Sequence, residues 1–138
     1  MQTERSRLKD GKEAPSDNRQ IYILDDDESV LRSLKLLLNS YGFAVRAFLT
    51  AEEFFSSVPS GSEGCLILDI HMRGLNGWDT QQRLAQEGYG LPVIVITADK
   101  DDSFKGKALE AGAVGFLQKP FEDHYLLHMV NGVFNKTA

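Results

Sequence analysis

Residues 21–30 read IYILDDDESV, four apolar residues running straight into three aspartates and a glutamate. Ile21 to Leu24 is a short apolar run of the kind that forms a strand buried on both faces. Carboxylates crowded at the end of such a strand repel one another, so either water screens them or a cation holds them. They also have a plainer use, because negative charge is stabilising at the N-terminus of a following helix. The stretch leaves both readings open. It does set a pattern: buried strand, acidic turn, helix.

That pattern repeats downstream. In SVLRSLKLLLNSYG (29–42), Val30, Leu31, Leu34, Leu37 and Leu38 fall at helical spacing and Gly42 closes the segment. FAVRAF (43–48) reads as a second strand. Thr50 and Glu53 have the spacing of a capping box and open a short helix through Phe54 and Phe55. CLILD (65–69) is a third strand, again ending in an aspartate, and RGLNG (73–77) is a turn before a helix from Trp78 to Gln86. LPVIVIT (91–97) is the fourth strand, and Asp101 or Asp102 caps a helix through Ala111 that Gly112 ends. AVGFLQ (113–118) is the fifth strand, Lys119–Pro120 breaks it, and EDHYLLHMVNGVF (122–134) is an amphipathic helix. Five strands alternating with five helices predict an α/β sandwich, a doubly wound parallel sheet covered on both faces.

Bulk properties narrow the class. The 138 residues fit one ordinary domain, and 42% hydrophobic with 25% charged residues is a globular composition. A net charge of −5 argues against a nucleic-acid binder. Cys65 is the single cysteine, so no internal disulfide can form and nothing points to secretion. The sequence has no membrane-length apolar run and no signal-peptide core, which predicts a cytoplasmic protein. Residues 1–19 are polar, of mixed charge and expected to be a flexible tail, leaving 20–138 as the domain.

In a doubly wound sheet, ligands gather beyond the carboxyl ends of the strands. Asp25 and Asp26, Asp69, Thr97 and Lys119 all stand at such ends. Three carboxylates call for a hard cation such as Mg²⁺. A hydroxyl and an ammonium opposite them suit an anion. Together they describe phosphoryl transfer onto an aspartate.

LDDDE (24–28), LDIHM (68–72), VIVITA (93–98), AGAVGF (111–116) and QKPF (118–121), in this order at successive strand ends, are motifs that identify a family. The chain resembles the receiver domain of two-component response regulators, from Gln20 to Phe134. The resemblance implies a flavodoxin-like (βα)5 fold, like that of the chemotaxis regulator, with strand order 2-1-3-4-5. It implies that Asp69 is the phosphoacceptor, served by a histidine kinase or a histidine phosphotransfer protein. Mg²⁺ would contact Asp26, Asp69 and the backbone carbonyl of His71, with Asp25 acting largely through water. Thr97 and Lys119 would hold phosphoryl oxygens, and the Lys119–Pro120 peptide would be cis. Thr97 and Phe116 would form a switch pair that alters the face made by helix four, strand five and helix five. Such a domain is a signalling module, not a free-standing enzyme. Its output would be a partner protein or domain, with a phosphorylation-dependent homodimer as a further option. With no room for a helix-turn-helix unit after Ala138, direct DNA binding is not expected of this chain.

Some residues depart from the family pattern. Arg73 stands where a proline commonly follows the methionine, and Phe116 lacks the hydroxyl of a tyrosine. Gly106 inside the fourth helix weakens it by about 1 kcal/mol relative to Ala, which predicts a mobile helix. His124 and His128 have zinc-like i, i+4 spacing but lack a third ligand nearby and read as a solvated or interface pair. The ring of His71 is placed to gate water, and Trp78 is a packing residue. Three other functions share part of this pattern: a phosphorylation-independent pseudo-receiver, a haloacid-dehalogenase-type phosphatase and a flavodoxin-like cofactor carrier. The phosphatase wants a second aspartate where His71 stands, plus a cap domain, and the carrier wants a neutral phosphate loop where LDDDE stands.

Overall fold

The computed structural model describes residues 19–70, 77–98 and 103–135. The expected tail (except residue 19), His71, Arg73 and the expected caps Asp101 and Asp102 lie outside them. Chain order is β1 (Gln20–Leu24), α1 (Glu28–Ser40), β2 (Ala44–Phe48), α2 (Ala51–Ser57), β3 (Cys65–Asp69), α3 (Gly77–Gln86), β4 (Val93–Thr97), α4 (Ser103–Glu110), β5 (Gly115–Gln118) and α5 (Asp123–Asn135). The strands form one parallel sheet of order β2-β1-β3-β4-β5.

Every residue of β3 and β4 is buried, as their unbroken apolar sequences require of strands covered on both faces. Successive side chains point to opposite faces, and that alternation divides the core in two. Ile21, Ile23, Ile67, Ile94 and Ile96 pack with Leu31, Leu34 and Leu38 of α1 and Leu126 and Val130 of α5. Tyr22, Leu24, Leu66, Leu68, Val93 and Val95 pack with Phe54 of α2, Leu84 of α3 and Ala108 of α4. Each fully buried Ile or Leu contributes about 1.5–3 kcal/mol, so the inner strands carry most of the stabilisation.

Helix ends follow local chemistry. Asp27 caps α1, its Oδ1 accepting from the N–H of Ser29 at 2.9 Å and of Val30 at 3.4 Å. Thr50 caps α2 by accepting from the Glu53 N–H at 3.1 Å. The reciprocal bond comes to Glu53 from Leu49, one residue before the cap, at 3.0 Å. Gly42 and Gly112 sit at φ +91° and +103°, a backbone that favours glycine. At each, paired bonds close the last turn: Gly42 to Asn39 and Phe43 to Leu38, Gly112 to Leu109 and Ala113 to Ala108. This closure is why β2 and β5 begin one and two residues later than their apolar runs: Phe43 and Ala113 are buried but are spent in the turn.

Burial pushes the Cys65 thiol up to about 12, so at pH 8 iodoacetamide should leave the native protein unmodified and alkylate it fully after unfolding. No atom lies within 4 Å of where a Cβ on Gly106 would stand. Gly106→Ala should therefore raise the urea unfolding free energy by about 0.5–1 kcal/mol, the entropic gain from replacing glycine.

Candidate metal centre at the carboxyl edge of the sheet

A parallel sheet delivers the ends of all its strands to one edge, and there the polar residues collect. The ladder continues one residue past β1, with the Asp25 N–H donating to the Phe48 carbonyl at 3.1 Å. This draws Asp25 fully inside, at 0% exposure. Both its oxygens are engaged: Oδ1 accepts from the Asp27 N–H at 2.9 Å and Oδ2 from Lys119 Nζ at 3.1 Å. Asp69, the last residue of β3, is buried, and Asp26 is half-buried. One carboxylate oxygen from each of Asp25, Asp26 and Asp69 lies within 4.8 Å of the others.

Backbone contacts set the surroundings of Asp69. The Ile70 N–H donates to the Ile96 carbonyl at 3.0 Å, and the Gly77 N–H at the start of α3 donates to the Ile70 carbonyl at 2.7 Å. A Cβ on Gly77 would stand 2.5 Å from the Ile70 Cα, so only glycine lets α3 approach the residue beside Asp69. Across the edge, Thr97 ends β4 with 0% exposure, and its carbonyl accepts from the Lys119 N–H at 2.6 Å. The Lys119–Pro120 peptide is cis, as the resemblance implies. Thr97 pairs with Gln118 and Val95 with Phe116, so Thr97 and Phe116 share one face of the sheet. Phe116 is half-buried there against the Leu66, Val93 and Ala108 side of the core.

Gathering three carboxylates has an electrostatic cost: a like-charge pair 4.8 Å apart costs about 3–4 kcal/mol at an effective dielectric of about 20, and Lys119 offsets part of it at Asp25. Among the described residues this is the group of acids, histidines or cysteines placed to hold a metal ion. The donor set is all hard oxygen with a half-buried member, which fits Mg²⁺ with some of its water and does not fit a thiolate- or imidazole-seeking ion.

The structure thus brings together Asp25, Asp26, Asp69 and Lys119, with Thr97 at the neighbouring strand end. Two other members of the acidic run serve the helix instead: Asp27 is its exposed cap and Glu28 its first residue. Among the described residues His124 and His128 join no metal-binding group; His124 lies exposed against the Tyr125 ring, with Nδ1 3.3 Å from Glu122. Trp78 packs against the core. Sequence reasoning missed Gly77 as a contact residue and Asp27 as the donor to Asp25. The glycine in RGLNG was a signal for the first, since a glycine opening a helix often marks close backbone approach.

Removing the ammonium leaves the Asp25 carboxylate buried beside its neighbours. In chelator, Lys119→Met should lower the unfolding free energy by about 2–3 kcal/mol. Adding Asp25→Asn should recover more than half of that loss, because it removes the uncompensated charge; a double-mutant cycle by urea denaturation measures the coupling.

Comparison with known proteins agrees with the fold. Residues 21–131 match the response regulator receiver domain model. The response regulator protein TodT of Pseudomonas putida is 43% identical over 107 residues, 78% of this chain and 47% of TodT. The transcriptional regulatory protein FixJ of Bradyrhizobium diazoefficiens is 36% identical over 84% of this chain and 57% of its own. The chain therefore spans about half the length of the curated relatives it matches. A solved receiver protein from Burkholderia phymatum is 40% identical with a TM-score of 0.75, over 85% of this chain and 95% of that one. The solved FixJ-N is 34% identical with a TM-score of 0.77, over 84% and 93%. The 138-residue chain belongs to the response regulator receiver family of two-component signalling.

Proposed function

We propose that Asp69 is the phosphoacceptor and that a histidine kinase or a histidine phosphotransfer protein is its donor. The observation that carries this is the meeting of Asp25, Asp26 and Asp69 oxygens within 4.8 Å with Lys119 bonded to Asp25. An Asp69 oxygen attacks phosphorus, an O–P bond forms as the P–N bond of the phosphohistidine breaks, and the electron pair returns to the imidazole. Asp26, Asp69 and the His71 carbonyl would hold Mg²⁺, which when bound supplies positive charge against the phosphoryl oxygens. Asp25 serves that ion through water, which fits the two bonds its oxygens already accept. Lys119 pairs with one phosphoryl oxygen and Thr97 donates to another.

Once the new oxygens draw Thr97 toward Asp69, Phe116 turns into the space on the shared sheet face. The pair then biases the face of α4, β5 and α5 between two arrangements. Leu109 on α4 and Tyr125 on α5 are exposed, with Val114 exposed in the loop between α4 and β5, apolar groups suited to a protein partner, an attached output domain or a second copy of the chain. The module works in the cytoplasm as a signalling element and turns over nothing but its own phosphoryl group. Among the described residues no helix is long and apolar enough to cross a membrane.

Incubation with acetyl phosphate tests the chemistry. The wild type should gain one phosphoryl group only with Mg²⁺, and Asp69→Ala should gain none. Lys119→Met should react about 100-fold more slowly, the loss typical of one oxyanion-stabilising group. Equal modification of Asp69→Ala would place the acceptor elsewhere, and an unmodified wild type would make the domain a binding module alone.

A further inference from the structure

The described side chains of α4, residues 105–110, hold it to the domain weakly. Ala108 is the one buried among them, Leu109 is 44% exposed, and Lys105, Gly106, Lys107 and Glu110 face solvent. A buried polar contact reaches the helix from α3. Gln81, only 4% exposed, donates from Nε2 to the Ala108 carbonyl at 3.4 Å. That carbonyl is also the acceptor that closes the end of α4, taking the Ala113 N–H at 3.0 Å. One oxygen therefore joins the last turn of α4 both to α3 and to the entry of β5.

The other end of the Gln81 amide is unusual. Oε1 is buried and has no hydrogen-bond partner among the described residues. Exchanging its oxygen and nitrogen would set oxygen against the Ala108 carbonyl, so the bond to Ala108 fixes the orientation. An orphaned buried acceptor is destabilising, and an apolar side chain of this size would avoid that cost. What the amide supplies in return is the N–H on α4. A cavity of about 150 Å³ lined by Gln81, Leu84, Tyr89, Leu91, Val93 and Ala111 lies beside it, so it is the Gln81 bond rather than close packing that holds this end of the helix.

We propose that Gln81 is a positioning residue for the switch, the pivot that pins the C-terminal turn of α4 while its N-terminal end moves. The movement itself rests on the proposed phosphorylation of Asp69. The chain leaves Thr97 and enters α4 at Ser103, so a displacement of Thr97 acts on the first turn of the helix. With the last turn held, an eight-residue helix about 12 Å long converts that pull into rotation about Ala108.

Gln81→Met removes the donor and the orphaned acceptor together while keeping the volume. In the free variant, exchange of the Ala111, Gly112 and Ala113 amides, which bond to α4 carbonyls, should accelerate about fivefold, the factor of one net hydrogen bond. The urea midpoint should stay level or rise. A merely structural role would lower the midpoint and accelerate β1 and β3 amides equally, and that result, or α4 exchange within twofold of wild type, overturns the pivot. A wild-type measurement stands should the variant not fold. With Mg²⁺ and beryllofluoride as phosphoryl analogue, amide shifts at Lys105 to Lys107 should exceed those at Ala111 to Ala113 at least threefold, and equal shifts at both ends overturn the proposal. Absence of any beryllofluoride response, including at Asp26 and Asp69, would sink the phosphoacceptor reading, while the exchange contrast of free Gln81→Met still decides whether Gln81 pins α4.

Discussion

Three carboxylates within 4.8 Å of one another cannot be left alone in a partly buried site. Among the described residues Lys119 supplies a counter-charge, 3.1 Å from Asp25 and 94 positions away in the chain. That single ion pair ties the end of β1 to the end of β5 across the intervening strands β3 and β4. The carboxylate oxygens gathered beside that pair are hard donors, the property that makes a divalent cation a natural occupant.

The rest of the fold serves that edge. Strands β3 and β4, two of the three inner strands, are buried on both faces, and their rigidity fixes Asp69 and Thr97 in register, because Asp69 pairs with Ile96, next to Thr97. Helix caps finish the work locally. Asp27 bonds its own helix through its side chain and Asp25 through its N–H, so one residue both starts α1 and orients a site carboxylate. Gly77 brings α3 against Ile70 by having no side chain. In contrast, α2 and α3 are clasped on the far side, with Arg83 stacked on Phe55 at 3.9 Å and bonded to Glu52 and Glu87. The described part of α4 has no comparable set of contacts, which is a sensible distribution for a domain whose α4 face is the one proposed to respond.

The relatives match over the receiver portion, and their names speak of regulation of transcription. Their additional length is where further activities of those proteins have room to reside. What this chain holds in common with them is the receiver domain.

The order of strands and helices, the parallel sheet and the strand-end acids were legible in the residues, because burial on two faces demands unbroken apolar runs such as VIVIT and CLILD, and helices announce themselves by period and by caps. Gly42 and Gly112 were legible as stops for the same local reason. Boundaries slipped by a residue or two where a turn consumed an apolar residue, as at Phe43 and Ala113. That Asp25 and Asp26 of DDDE belong with Asp69 was legible, but the physical reason was not: the extra ladder bond from Asp25 to Phe48, which turns Asp25 inward, exists only in the folded sheet. Nor could the sequence reveal Lys119 on Asp25, or the Gln81 amide under Ala108, because both join residues far apart in the chain whose meeting depends on how the layers stack. Local pattern determined the elements and the chemistry they carry; distance and burial, which exist only once the chain has packed, decided how that chemistry is shared out.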